Sequence, residues 1–247
     1  MRLLQNVYLV GGGPFAGMGL TTGGDSHVYL IDGGSELALI DCGLGISFDS
    51  VIGNVKADGF DPGRITKLFL THYHADHAGG ASHFHEKLGL SVAIGLDARD
   101  ALATGDESAT SLAAAREAGI YPADYKLRPC PVADALEDGA TRRVGGLSLR
   151  FLSTPGHCLG HGSYLMTGGE KPVLFAGDAV FWAGQILLQA IPDCDLQAAL
   201  ASVLMLEQLD FDAFLPGHGA VTVTGGHQHV ELAAKAIRSL AIPRNLV

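Results

Sequence analysis

The chain has 247 residues, enough for one large domain or two small ones with a sizeable core. Hydrophobic residues make up 47% and charged residues 17%, which excludes a disordered chain. The net charge is −10 and Arg142-Arg143 is the one basic cluster, which argues against a nucleic-acid binder.

At the N-terminus, MRLLQNVYLVGGGPF is too short in its apolar part and too broken by glycine for a secretory leader. No apolar run reaches the ~18–20 residues that cross a bilayer. Strands are expected at NVYLVGG, HVYLID, LALIDCG, ITKLFLTHYH and SVAIG, all rich in Val, Leu, Ile and Phe and bounded by Gly or Asp. Between the first two lies a glycine-rich loop, GGGPFAGMGLTTGGDS. A helix is expected from about Ala78 to Leu88, with Ala81, Phe84 and Leu88 inward and Gly89 as its stop. Residues 96–126 then interrupt the strand rhythm with a helical or looped insertion, either a surface elaboration or a cover for a substrate pocket.

The second half resumes with LSLRFLSTPGH, GSYLMTGG, PVLFAGD and DAFLPGH as strands. Asp195 is the expected N-cap of a helix over LQAALASVLMLEQL, with Leu196, Ala199, Leu200 and Val203 on one face. A last helix is expected from Gly226 to Leu240, buried along Val230, Ala233, Ile237 and Leu240. The alternation is an α/β pattern, with helices covering sheets. The four cysteines (Cys42, Cys130, Cys158, Cys194) form no CxxC pair, so free thiols and a cytoplasmic location are expected.

Polar residues gather at the strand ends. Asp41 follows LALI, His72 and His74 follow LFL, His157 follows LRFLSTPG, Asp178 follows VLFAG and His218 follows FLPG. Chemistry in open α/β sheets collects beyond the carboxyl ends of the strands. In an extended segment residues i and i+2 point the same way, so His72 and His74 can grip one ion. Asp76 and His77 lie past the strand end and can grip a second, while Ala78, Gly79 and Gly80 let the backbone pack closely.

THYHADHAGG resembles the H-x-H-x-D-H signature of the metallo-β-lactamase fold superfamily. IDCG at Asp41, TPGH at His157, AGD at Asp178 and PGHG at His218 follow in that family's order, so the resemblance spans about residues 30–219. It implies one domain over 1–247, an αβ/βα four-layer sandwich of two mixed β-sheets flanked by helices. Its two similar halves would cover about 1–125 and 126–247. Carried over, it implies one metal on His72, His74 and His157, a second on Asp76, His77 and His218, and Asp178 as the bridge. Asp41 and His161 would support ligands from behind, and Cys158 beside His157 would pack. His27, His83, His85, His227 and His229 would be surface or structural residues.

Nitrogen and carboxylate donors suit two zinc ions, and also iron, manganese or cobalt. Two ions about 3.5–4 Å apart can bridge a hydroxide and polarise a carbonyl, with Asp76 orienting the nucleophile and moving its proton. The expected activity is metal-assisted hydrolysis of an ester, lactone or thioester of a small, partly apolar substrate. The ligand set is similar to those of glyoxalase II and of acyl-homoserine lactone lactonases. Phe181 stands where those lactonases carry a tyrosine, and glyoxalase II's basic C-terminal pattern is reduced to Arg238 and Arg244. Alternatives on the same fold are an iron-dependent sulfur or oxygen redox enzyme, a β-lactamase, a phosphodiesterase-type nuclease and a non-enzymatic binding protein. Phe15, Met18 and Leu20 of the glycine-rich loop, with Phe181 and Trp182, are the expected apolar pocket. The partners expected are a small-molecule substrate and, at most, a second copy of the chain; neither nucleic acid nor membrane is expected.

Overall fold

A computed structural model describes residues 1–14, 17, 19–21 and 23–246. Seven strands form the first sheet in sequential order: β1 Arg2–Leu4, β2 Val7–Gly11, β3 Val28–Asp32, β4 Leu37–Ile40, β5 Ile65–Phe69, β6 Ser91–Gly95 and β7 Asp134–Leu136. Pairing is antiparallel from β1 to β4 and parallel from β4 to β7. The second sheet contains β8 Thr141–Val144, β9 Leu147–Ser153, β10 Gly162–Thr167, β11 Val173–Gly177 and β12 Ala213–Pro216. It is antiparallel from β8 to β11, and β12 joins β11 in parallel.

Period-two alternation sorts the side chains into layers. Tyr29, Ile31, Ile40 and Phe69 of the first sheet meet Leu149, Phe151, Tyr164 and Phe175 of the second in a core between the sheets. Leu30, Leu39, Leu68 and Val92 face the other way, against α1 (Phe48–Ala57), α3 (Ala81–Leu88) and α4 (Arg99–Thr104). On the far side Leu174, Ala176 and Phe214 pack on α6 (Leu196–Leu206) and α7 (His227–Arg238). The result is helix, sheet, sheet, helix: two mixed sheets in the expected αβ/βα sandwich. Each large side chain buried this way contributes roughly 1.5–3 kcal/mol.

Local chemistry sets the helix ends. Asp195 accepts from Ala198 N at 2.9 Å, and Gly89 closes α3 in the left-handed region. The buried stripes differ in part from the expectation. In α6 it is Ala199, Ser202, Val203 and Leu206, while Leu196 at the first helical position faces solvent. α7 ends at Arg238, so Leu240 lies past the helix and is exposed, and His229 with Ala234 completes the buried face. The sequence pattern also passed over α1, β1, β7 and β8. Among the described residues no helix is long and apolar enough to cross a membrane, and all four cysteines are free.

Candidate metal centre

Five chain segments converge at one edge of the sandwich. Thr71, His72 and His74 come from the loop after β5, and Asp76 and His77 from the single turn α2 (Ala75–Ala78). His157 follows β9, Asp178 follows β11 and His218 follows β12. The ligand atoms of His72, His74 and His157 lie within 4.8 Å of one another, as do those of Asp76, His77 and His218, and those of His72, His77 and Asp178. Asp178 stands between the first two groups. Its Oδ1 is 3.4 Å from His77 Nε2, and its Oδ2 is 3.5 Å from His218 Nε2 and 3.7 Å from His157 Nε2. Gly217 permits this closeness, since a Cβ there would sit 2.3 Å from Asp178 Oδ1.

The far sides of the His72, His74, His77 and His157 rings are tied down, which sets their orientation. Asp41 accepts from Thr71 N at 2.8 Å, from Thr71 Oγ1 at 2.8 Å and from His77 Nδ1 at 2.9 Å. Having donated its proton to Asp41, Thr71 Oγ1 accepts from His72 Nδ1 at 3.0 Å. His74 Nε2 donates to Asp193 at 3.1 Å, and His157 Nδ1 faces the Leu187 carbonyl at 3.4 Å. Bare nitrogens therefore remain on His72 Nε2, His74 Nδ1 and His157 Nε2, all facing the centre, while His77 Nε2 faces it between the Asp76 and Asp178 carboxylates, 3.5 Å and 3.4 Å away. His72 Nε2 is buried with no hydrogen-bond partner, and His74 Nδ1 lies only 2.9 Å from His157 Nε2. Lone pairs so crowded and so poorly satisfied fit a cation. His161 does not present a bare nitrogen here: its Nε2 accepts from the Asp178 backbone N–H at 2.9 Å, and its Nδ1 bonds Thr154. Asp41 adopts φ 59°, a strained conformation for a residue with a Cβ, held by its three hydrogen bonds.

Electrostatics point the same way. Burial would raise Asp178, but His218, His77 and His157 hold it well below the usual carboxylate range. Burial would raise Asp76 too, and His77 with His218 lowers it. Burial pushes the His72 imidazole well down and His157 down to about 4, so both rings are neutral near pH 7. His77 goes up, because Asp178, Asp76 and Asp41 together outweigh its burial.

Above the centre lies a cavity of about 830 Å³. His74, Asp76, His157, Asp178 and His218 form its floor, and the insertion supplies one wall through Ala114, Ala118, Ile120 and Tyr121. Leu187 and Ile191 form the opposite wall. The insertion, which contains α5 (Leu112–Glu117), thus covers the site. Of the residues expected to line the pocket, the three that are described, Leu20, Phe181 and Trp182, do not line this cavity. Leu20 packs on the core between the sheets, Phe181 is buried with its ring centroid 6.4 Å from that of His218, and Trp182 is exposed, tilted against His229 at 6.0 Å. Phe15 and Met18 fall outside the described residues. His229 bonds Thr222 Oγ1, His27 bonds the Pro216 carbonyl, His85 the Leu90 carbonyl and His227 the Glu207 carbonyl, while His83 stacks on Phe48. Cys158 is buried with the core between the first sheet and α1, α3 and α4. Its sulfur lies near His74 and Asp193, but the His74 nitrogen on that side already donates to Asp193.

Sequence reasoning missed three polar residues at the site. Asp193 bonds His74, Thr71 relays Asp41 to His72, and the Tyr121 hydroxyl donates to Asp76 Oδ1 at 2.7 Å. Tyr121 had a signal, as one of the two aromatic residues in the insertion. Asp193 had none.

The chain is similar to several known proteins. Relatives include an atrochrysone carboxyl ACP thioesterase of Aspergillus fumigatus, 28% identical over 79% of this chain and 51% of its own length. A hydroxyacylglutathione hydrolase of Rhodopseudomonas palustris is 33% identical over 49% of this chain and 36% of its own. The chain thus spans about half or less of the length of these curated relatives. Among solved structures, the subclass B3 metallo-beta-lactamase BJP-1 of Bradyrhizobium japonicum superposes with a TM-score of 0.73 at 20% identity, covering 97% of this chain and 92% of that one. FEZ-1 of Legionella gormanii gives 0.74 at 21% identity, with 97% and 94% covered. At such identities the likeness is one of fold. The model of the metallo-beta-lactamase superfamily matches residues 21–218, from the glycine-rich loop through the last histidine of the centre, and the chain belongs to that superfamily.

Proposed function

We propose that the chain is a dinuclear metal-dependent hydrolase that cleaves a carboxylic ester, lactone or, foremost, thioester of a small, partly apolar substrate. One observation carries this reading: two sets of nitrogen and carboxylate atoms flank Asp178 on the floor of a cavity with apolar walls. In this reading His72, His74 and His157 would hold one ion, Asp76, His77 and His218 would hold the other, and Asp178 would serve both. Zinc matches the donors, as do iron, manganese and cobalt. Once bound, the pair would supply Lewis acidity, lowering the pKa of water toward neutrality and polarising a carbonyl.

The chain's own residues supply orientation. Asp41 keeps the His72 and His77 tautomers, and Asp193 keeps that of His74. His161 fixes the backbone that carries Asp178. Asp76, held ionised, accepts a hydrogen bond from the attacking water and passes its proton toward the cavity mouth. Tyr121 holds Asp76 in that pose, and its hydroxyl lies on the cavity wall, where it can also meet a substrate oxygen.

The cavity supports a neutral acyl group. Among the described residues lining it there is no lysine or arginine. The carboxylates of a β-lactam or of glutathione would find no cationic partner, and the chain's charge of −10 repels polyanions. The curated relatives are named as a thioesterase and a hydroxyacylglutathione hydrolase, which favours the thioester. Four free thiols support a reducing, cytoplasmic location.

A substrate panel tests the reading. Zinc-loaded protein is offered N-acetylcysteamine thioesters, aryl esters and lactones with apolar acyl groups, beside a penicillin, S-lactoylglutathione and bis(p-nitrophenyl) phosphate. The highest kcat/KM is expected for a neutral thioester or lactone. A preference for the phosphodiester or the penicillin would reject the substrate assignment.

A further inference from the structure

The insertion touches the centre at two separate points. Tyr121 reaches Asp76, at one group of ligands. Ser111 reaches the other group indirectly: its Oγ donates to Asp193 Oδ1 at 2.6 Å, while Oδ2 of the same carboxylate accepts from His74 Nε2 at 3.1 Å and from Tyr73 Oη at 3.1 Å. Ser111 sits in the left-handed region, at φ 52° and ψ 19°, directly before α5. A residue with a Cβ keeps that conformation where its surroundings hold it there. Here the turn over 106–109 leads into it, with Asp106 Oδ1 accepting from Ser108 N and Ala109 N, and the Asp193 carboxylate receives its hydroxyl. Ser111 is buried and Asp193 half-buried, so the bond is partly shielded from water.

We propose that Asp193 is a positioning residue that couples the cavity wall to the metal centre, holding His74 with one carboxylate oxygen and the insertion, through Ser111, with the other. The proposal rests on the metallohydrolase reading and adds a regulatory consequence to it. An ion on His74 Nδ1 makes the ring a stronger donor at Nε2, which strengthens the hold on Asp193 and steadies the carboxylate that seats Ser111. By linkage the effect is reciprocal: a seated wall raises the affinity for the ion as much as the ion favours the seated wall. The cavity is then complete when the centre is loaded, and an empty centre leaves its wall less firmly held. A bond that served loop packing alone would give no such dependence.

Zinc affinity by competition with a chromophoric chelator, and amide hydrogen exchange over residues 106–121 with and without zinc, decide it. Ser111→Gly removes the hydroxyl and accepts the left-handed backbone; Ser111→Ala removes the hydroxyl and keeps the strain. Asp193→Asn keeps the shape of the side chain. In the wild type, zinc is expected to slow exchange over 106–121. In both Ser111 variants that slowing is expected to vanish and zinc affinity to fall at least about fivefold, with a fall of about 10–100-fold for Asp193→Asn. Unchanged zinc affinity together with zinc-dependent slowing in both Ser111 variants would overturn the coupling, even if Asp193→Asn weakened binding. A wild-type chain that takes up none of zinc, iron, manganese or cobalt would overturn the hydrolase reading and the coupling with it.

Discussion

Asp41 Oδ2 lies 2.9 Å from His77 Nδ1, and through Thr71 Oγ1 the same oxygen governs His72. One carboxylate thereby sets a ring in each of the two ligand groups. Asp41→Asn offers an amide whose NH2 must oppose either the Thr71 N–H at the Oδ1 position or both Thr71 Oγ1 and His77 Nδ1 at the Oδ2 position, so at least one of these bonds is lost whichever way it turns, and the negative charge is lost with it. Metal affinity and kcat/KM are expected to fall about 10–100-fold with the circular dichroism unchanged. Metal titration of the purified variant checks this.

Asp178 stands between the groups, so Asp178→Ala should affect both. Metal content per chain is expected to fall and turnover to vanish, as for His74→Ala. His83→Ala and His85→Ala are the contrast. Their rings stack on Phe48 and bond the Leu90 carbonyl, far from the cavity floor. Both variants should keep full activity and metal content, with stability changed by about 1 kcal/mol or less for the lost hydrogen bond. Elemental analysis beside steady-state assays measures both.

Gly217 offers a test by volume instead of by chemistry. An added methyl would meet Asp178 Oδ1 at 2.3 Å and His77 Cε1 at 2.6 Å. Neither atom can retreat, since His77 is held by Asp41 and Asp178 by its neighbours. Gly217→Ala is expected to weaken metal binding at least about tenfold, the response of a displaced ligand. The strained site also lowers thermal stability, typically by about 1–3 kcal/mol. Calorimetry of metal-free and loaded protein separates the two effects.

The metal-free protein should lose stability on mild acidification. Burial holds His157 down at about 4 and His161 down at about 3. In the unfolded chain both titrate near the ordinary ~6.5. Between those limits the unfolded state binds more protons, so stability rises with pH. Their contribution is full above about 6.5 and is lost as pH falls toward 3 to 4. His77, raised by its carboxylates, works in the opposite direction at higher pH. The melting temperature at pH 4.5 should lie below that at pH 7, and His161→Gln should flatten the slope. A slope unchanged in that variant would show that His161 does not carry its share.

The centre was more legible in the sequence than the pocket above it. Each ligand candidate follows an apolar strand within a few residues, so local pattern placed it. Asp193 meets His74 across 119 positions through an irregular loop, where no periodic pattern operates. The walls failed for a related reason. Phe181 and Trp182 are apolar and close to Asp178 in sequence, yet Phe181 turns into the interior and Trp182 turns out over α7. Helix α1 escaped because Gly53 interrupts it and its buried stripe is only Val51 and Val55. Leu240 looked like the continuation of the α7 stripe, but the backbone turns left-handed there, at φ 60°, after the helix has ended.

Crystals of the protein loaded with zinc, measured on both sides of the zinc absorption edge, test the central claim most directly. Two anomalous peaks are predicted, one facing His72, His74 and His157, the other facing Asp76, His77 and His218, with the Asp178 carboxylate between them. A map with no peak at these residues, or with zinc bound elsewhere while Asp178 and His218 remain unliganded, would contradict the account.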